Sequence, residues 1–224
     1  MSSALRFIFF DVGHTLLFPD WKFILQPLTK RGCEPTLEQL RAIDRKTRKD
    51  FDESAAGAGS PNIGFWRCFH SYLLESLGIS DESLLESLIA AMAKSDNWNQ
   101  IRPGTREVLE GIGQSFQLAV ISNSDGGVAR VLDRCGIGDC FLQVIDSGAV
   151  GYEKPHPAIF EMALNAVGAR PEESLYVGDV YCVDYVGATR ARMKAILFDI
   201  AGAYRETGLP RVESLQELRT RLLN

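Results

Sequence analysis

Cysteine is sparse and unpatterned in this chain. Cys33, Cys68, Cys135, Cys140 and Cys182 are scattered, odd in number and without CxxC spacing. That excludes a disulfide frame and a zinc site, and implies free thiols in a reducing compartment, hence a cytoplasmic protein. Histidine is scarcer: three residues, far apart and in no ligand spacing. Basic charge is not in surplus either. With 24 Lys and Arg against 29 Asp and Glu, the net charge of −5 leaves nothing to track a nucleic-acid backbone. No apolar run approaches the ~20 residues of a membrane helix. The opening "MSSALRFIFFDVG" runs straight into a polar turn and lacks the cleavage site of a signal peptide. Repeats and low-complexity tracts are missing as well.

What is present suits a globular protein. The chain has 224 residues, of which 46% are hydrophobic and 24% charged, enough to bury a large core. Short apolar runs recur at 5–11, 117–123, 142–147, 174–179 and 194–199. Each is bounded by polar or Gly residues, the pattern of parallel strands buried on both faces. Segments 104–113, 127–136 and 157–168 between them have helical spacing, with Gly136 and Gly168 as stops. Strands alternating with helices predict an α/β fold with a doubly wound parallel sheet, Rossmann-like.

Residues 18–96 break this rhythm with helical patterns at 36–51, 65–78 and 80–94, the last opening on Ser80 as N-cap with two acids in its first turn. The expected organisation is an α/β core of 1–17 and 97–224, with an all-helical insertion at 18–96. Hinges fall near 18–20 and 97–102, and 54–61 is a small-residue loop within the insertion.

Four polar signals end four different strands: Asp11, Ser122 with Asn123, Lys154, and Asp179 with Asp184. Singly, each has a plain explanation as a turn acid, a polar loop, a solvated lysine or a helix cap. Together they mark the carboxyl edge of an open parallel sheet, where ligands bind.

The stretches "DVGHT", "ISN", "EKPHP" and "GDVYCVD" resemble the four motifs of the haloacid dehalogenase superfamily, spanning Asp11 to Asp184. The insertion is similar to that superfamily's type 1 cap. The resemblance implies a Mg²⁺-dependent hydrolase acting on a small phosphorylated metabolite. Asp11 would be the nucleophile of an aspartyl-phosphate intermediate that water later hydrolyses. It implies Asp11, the Gly13 carbonyl and Asp179 as ligands of Mg²⁺, with Asp184 on the ion or behind it. Lys154 would neutralise charge on the nucleophile and the transferring group, and Ser122 with a neighbouring N–H would hold a phosphoryl oxygen. Substrate contacts are expected around Asn123, Lys154, Trp21, Lys22 and the 54–61 loop. The sequence sets no oligomeric state.

One position departs from the pattern. The family's phosphatases carry a second Asp two residues after the nucleophile, where this chain has Gly13. Losing a general acid/base forfeits ~10²–10⁴ in rate, or roughly 3–5 kcal/mol. His14 could replace it, since an ordinary imidazole titrates near neutrality. A substrate with a good leaving group, such as an acyl or aryl phosphate, would need little protonation. Dehalogenase chemistry would use a halide-binding Arg41, Arg45 or Arg48, and phosphonatase chemistry a Schiff-base Lys46 or Lys49. A weakly active or inactive relative that binds phosphate or a partner completes the alternatives.

Overall fold

The structure, a computed structural model, describes residues 4–54 and 61–224. Strands β1 (Phe7–Phe10) and β2 (Leu17–Phe18) lead into α1 (Trp21–Ile24), α2 (Gln26–Thr29), α3 (Leu37–Ser54), α4 (Pro61–Ser76) and α5 (Glu82–Met92). β3 (Gln100–Ile101) follows, then α6 (Thr105–Gly113), β4 (Gln117–Ser122), α7 (Val128–Arg134), β5 (Val144–Asp146), α8 (Ser147–Val150) and α9 (Pro157–Val167). The chain ends with β6 (Ser174–Gly178), α10 (Val186–Arg190), β7 (Lys194–Phe198), β8 (Arg211–Val212) and α11 (Leu215–Leu223).

Among the described residues, β5-β4-β1-β6-β7-β8 form one sheet in that order, with every neighbouring pair parallel. β1 shows why the strands read as unbroken apolar runs. Ile8 and Phe10 enter one core cluster with α6, α7 and α11, while Phe7 and Phe9 enter another with α9 and α10. Side chains alternate faces along a strand, so a sheet covered on both sides needs apolar residues at every position. The predicted α/β fold is the observed one. β8 and α11 were not anticipated.

The helical segment has its own apolar cluster, in which Leu40 and Ile43 of α3 meet Phe65, Phe69 and Leu73 of α4 and Leu84 and Leu88 of α5. Its two connections to the sheet meet in a short antiparallel pair, Leu17 opposite Ile101 and Phe18 opposite Gln100. No described helix is long and apolar enough to cross a membrane.

Two local expectations need correction. The N-cap of α5 is Asp81 rather than Ser80, because the Asp81 carboxylate accepts from Leu84 N at 2.9 Å. The acids 81 and 82 are therefore cap and first turn, not both first turn. The helix cap that is the plain explanation of Asp179 and Asp184 does not form: Val180 leads into a wide π turn at Tyr181–Tyr185 before α10, and Asp184 Oδ2 accepts from the N–H groups of Asp179 and Val180.

His70, on α4, is fully buried beside Trp66 and Phe69, and neither ring nitrogen has a partner among the described residues. Burial lowers its pKa to about 3. A folded pKa below the unfolded value of 6.5 gives stability that is present above pH 6.5 and is lost as pH falls toward 3. His70→Phe is therefore expected to flatten acid destabilisation by about 3 kcal/mol between pH 6.5 and 4, read as a variant Tm that rises relative to that of wild type as pH falls. Parallel Tm curves for the two proteins would refute this.

Candidate active site

β1 lies between β4 and β6, where the chain order reverses and a crevice opens beyond the strand ends. Asp11 follows β1 directly, and its N–H donates to Val177 O of β6 at 2.8 Å. Lys154 arrives from the α8–α9 connection and is 2% exposed. Its ammonium has three N–H groups and three acceptors: Asp11 Oδ1 at 2.6 Å, Asp184 Oδ1 at 2.8 Å and Tyr176 Oη at 2.8 Å. The Asn123 side chain fixes the Lys154 backbone in both directions, donating to its carbonyl at 2.9 Å and accepting from its N–H at 2.7 Å. Asn123 thus positions Lys154, a role that composition and spacing did not suggest.

Asp184 is engaged on both oxygens. Oδ1 meets Lys154 and Tyr176, and Oδ2 accepts from the N–H groups of Asp179 and Val180 at 3.0 and 2.9 Å. That approach needs Gly178, because a Cβ there would stand 2.5 Å from the Asp184 carboxyl carbon. Asp184 therefore braces the β6 loop that presents Asp179.

Asp179 is held by the helical segment. Arg48 of α3 donates to Asp179 Oδ2 at 2.7 Å and to its carbonyl at 2.5 Å, while its Nε donates to Asp44 at 3.1 Å. Arg48 belonged to the halide-binding alternatives in the sequence; here four of its five N–H groups are already spent, the fourth on His14 Nδ1 at 3.1 Å.

The electrostatics follow from burial. Desolvation raises the pKa of Asp11 to about 6 despite the Lys154 charge beside it. Desolvation also pushes Asp179 well above the carboxylate range, with Arg48 opposing. Burial works against the Lys154 and Arg48 cations, but their carboxylate neighbours outweigh it and hold both pKa values above the ordinary ones. Four buried carboxylates, Asp11, Asp44, Asp179 and Asp184, thus face two cations. Asp11, Asp179 and Asp184 each place a carboxylate oxygen within 4.8 Å of the others. Hard oxygen donors with uncompensated negative charge fit a Mg²⁺ ion.

A chamber of about 100 Å³ opens over this cluster, walled by Phe65, Trp66, Met92, Trp98, Val128 and Val183. Ser122 also lines it. Trp21 and Lys22 do not: Trp21 borders a neighbouring cleft with Arg41, and Lys22 is exposed. Residues 55–60 of the expected contact loop lie outside the described residues. Lys46 is exposed and paired with Asp50 at 2.8 Å, while Arg45 and Lys49 are exposed.

Gly13 and His14 follow Asp11 on the loop after β1. A Cβ at Gly13 would meet the Trp98 ring at 3.2 Å, so the indole fills the space a side chain there would need. His14 is in the left-handed region, φ 53°, with rings of Trp98, Trp66 and Phe18 at 5.3, 5.6 and 6.1 Å. A guanidinium only donates, so His14 Nδ1 accepts from Arg48 and the ring proton sits on Nε2. Nε2 is buried with no hydrogen-bond partner among the described residues. Burial also lowers the His14 pKa to about 4, so the ring is neutral at pH 7. The wall formed by Phe65, Trp66 and Trp98 is not legible in the sequence, because the apolar spacing of these residues matches core.

The chain is similar over most of its length to known proteins. A model of the haloacid dehalogenase-like hydrolases matches residues 6–191. Glyceraldehyde 3-phosphate phosphatase of Pyrococcus furiosus is 38% identical over 225 residues, covering 97% of this chain and 90% of that protein. Human haloacid dehalogenase-like hydrolase domain-containing protein 3 is 33% identical over 205 residues, 86% of this chain and 81% of that one. Among solved structures, the HAD-hydrolase YfnB of Bacillus subtilis, bound to magnesium, shares the fold with a TM-score of 0.69 at 20% identity, over 98% of this chain and 99% of that chain. With a family match that runs from before Asp11 to beyond Asp184, and a relative alike along almost the whole length, the chain belongs to the haloacid dehalogenase-like hydrolases.

Proposed function

We propose that this hydrolase is a Mg²⁺-dependent phosphatase of small phosphorylated metabolites, with residues 18–96 as a cap over the site. The observation that carries the reading is the buried Asp11–Lys154 pair beside Asp179 and Asp184, under a chamber of molecular size. Asp11, the Gly13 carbonyl and Asp179 would hold the ion, which when bound neutralises charge on the phosphoryl group. Asp11 attacks phosphorus, its new O–P bond forming as the bond to the leaving oxygen breaks. Lys154 holds Asp11 in place and offsets the charge it brings toward a dianion. Ser122 receives a phosphoryl oxygen. Water then cleaves the aspartyl-phosphate and frees inorganic phosphate.

Among the described residues, neither Gly13 nor His14 is placed to protonate the leaving oxygen. Trp98 covers Gly13, and the His14 proton lies among aromatic rings. The leaving group therefore departs as an anion, which favours acyl and aryl phosphates over alkyl ones. The wall agrees, since no charged side chain of the described cap residues lines the chamber. Dehalogenation gains no support from Arg48, which Asp44 and Asp179 already occupy.

The test is hydrolysis of a series of aryl phosphates and one alkyl phosphate, with and without Mg²⁺. Expected are Mg²⁺-dependent turnover that falls steeply as leaving-group pKa rises, and an alkyl rate at least ~10²-fold lower. Equal aryl and alkyl rates would put an acid in the site. No turnover of any ester would sink the phosphatase reading.

Gly13→Asp alone is expected to leave alkyl turnover unchanged and to lower Tm, because Trp98 occupies the space. Gly13→Asp combined with Trp98→Leu is expected to raise the alkyl rate by ~10-fold or more. Steady-state kinetics of the two variants on one alkyl phosphate checks both statements.

A further inference from the structure

Arg48 places a full positive charge on the carboxylate that a cation would use. The residue sits in mid-helix on α3, yet its side chain is 4% exposed and two of its hydrogen bonds end on Asp179 of the sheet. Asp179 is also one of the three acids whose oxygens lie within 4.8 Å of one another. A third bond reaches His14, so Arg48 fastens α3 to the strand ends at two places. Among the described residues, its only other acidic partner is Asp44, four residues back on the same helix.

We propose that Arg48 competes with a divalent cation for Asp179, so that cation binding loosens the contact of α3 with the core and removal of the cation tightens it. The inference rests on reading the acidic cluster as a cation site. Two positive charges sharing one desolvated carboxylate repel strongly, because little water intervenes to screen them. Asp44 gives Arg48 somewhere to go: when the guanidinium releases Asp179, the pair with Asp44 persists within α3 and no charge is left bare. Binding and docking are then linked, and each must weaken the other by the same factor. The alternative is that Arg48 merely orients Asp179 for the ion, as groups behind a metal ligand often do. The two roles predict opposite signs.

The probe is Mn²⁺ alone, titrated by calorimetry into metal-free wild type, Arg48→Met and Arg48→Lys. Competition predicts at least tenfold tighter Mn²⁺ binding by Arg48→Met and an intermediate value for Arg48→Lys, whose charge remains but lacks the fork. Unchanged or weaker binding by Arg48→Met, or no binding by any of the three, overturns it. Asp44→Asn/Arg48→Met serves as the companion variant, since it removes the acid that Arg48→Met would strand.

Hydrogen exchange of the wild type gives a second, mutation-free reading. Mn²⁺ should speed exchange of the α3 amides around Asp44 and Arg48; slower or unchanged exchange overturns the proposal. Both readouts are independent of turnover. A protein that hydrolyses aryl phosphates with Mg²⁺ but shows neither effect keeps its proposed function and loses this inference.

Discussion

Asp11→Asn is expected to abolish turnover of an activated aryl phosphate, by on the order of 10⁴-fold or more, while making the metal-free protein more stable at pH 7.5. The two effects have one cause. Asp11 is 7% exposed, and burial raises its pKa from 3.8 to about 6 even with Lys154 at 2.6 Å. A folded pKa above the unfolded one contributes stability that is present below pH 3.8 and is lost as pH rises through 6. At pH 7.5 the ionised Asp11 carboxylate therefore costs the fold about 2–3 kcal/mol. Asparagine keeps the shape and removes that cost. In a chelator, the variant should melt several degrees above wild type at pH 7.5, and the gap should narrow as pH falls from 6 toward 3.8. A variant less stable than wild type at pH 7.5 would mean that the Lys154 pair outweighs desolvation. Residual turnover above about a hundredth of wild type would remove Asp11 from the nucleophile's role.

Much of this site was legible because it is built at strand ends. A strand covered on both faces announces itself as a short apolar run, and the first polar residue after it is placed by the sheet. Asp11, Ser122 and Asp179 were readable for that reason, and the sheet brings Asp11 and Asp179 to one buried cluster. Lys154 joins them through a longer connection, and its pairing with Asp11, 143 residues away, shows no local signal. Arg48 was less legible still. It lies in the charged run "DRKTRKD", whose other basic residues Arg45, Lys46 and Lys49 are solvated, and only the docking of α3 singles it out. Helical periodicity also fails to separate a chamber wall from a core. Phe65 and Trp66 satisfy the same apolar spacing as Phe69 and Leu73, although the first two border the chamber. Gly13 could be recognised as a missing side chain, but the ring that fills its place comes from Trp98, beyond the whole helical segment.

Lys154→Met is expected to do the reverse of Asp11→Asn to stability while sharing its loss of activity. The ammonium is fully committed, with Asp11, Asp184 and Tyr176 all within 2.8 Å. Methionine fills a similar volume but leaves Asp11 and Asp184 facing each other without a cation, in a buried and largely desolvated site. Breaking a buried pair in this way costs about 3–5 kcal/mol, which for a chain of this size is a fall in Tm of roughly 6–20 °C at pH 7.5. The loss should shrink toward pH 5, where Asp11 takes up a proton, because Lys154 is the neighbour that holds its pKa down to about 6. Mg²⁺ should recover part of it at pH 7.5 by supplying the missing charge, and a chelator should undo that recovery. Unchanged stability of Lys154→Met at pH 7.5 would show that the pair contributes nothing. Adding Asp11→Asn to Lys154→Met isolates the cause. The remaining acid, Asp184, keeps the N–H groups of Asp179 and Val180 on its Oδ2, so it stays satisfied without the lysine. The double variant should therefore melt well above Lys154→Met, with the difference reporting the desolvated Asp11 carboxylate alone.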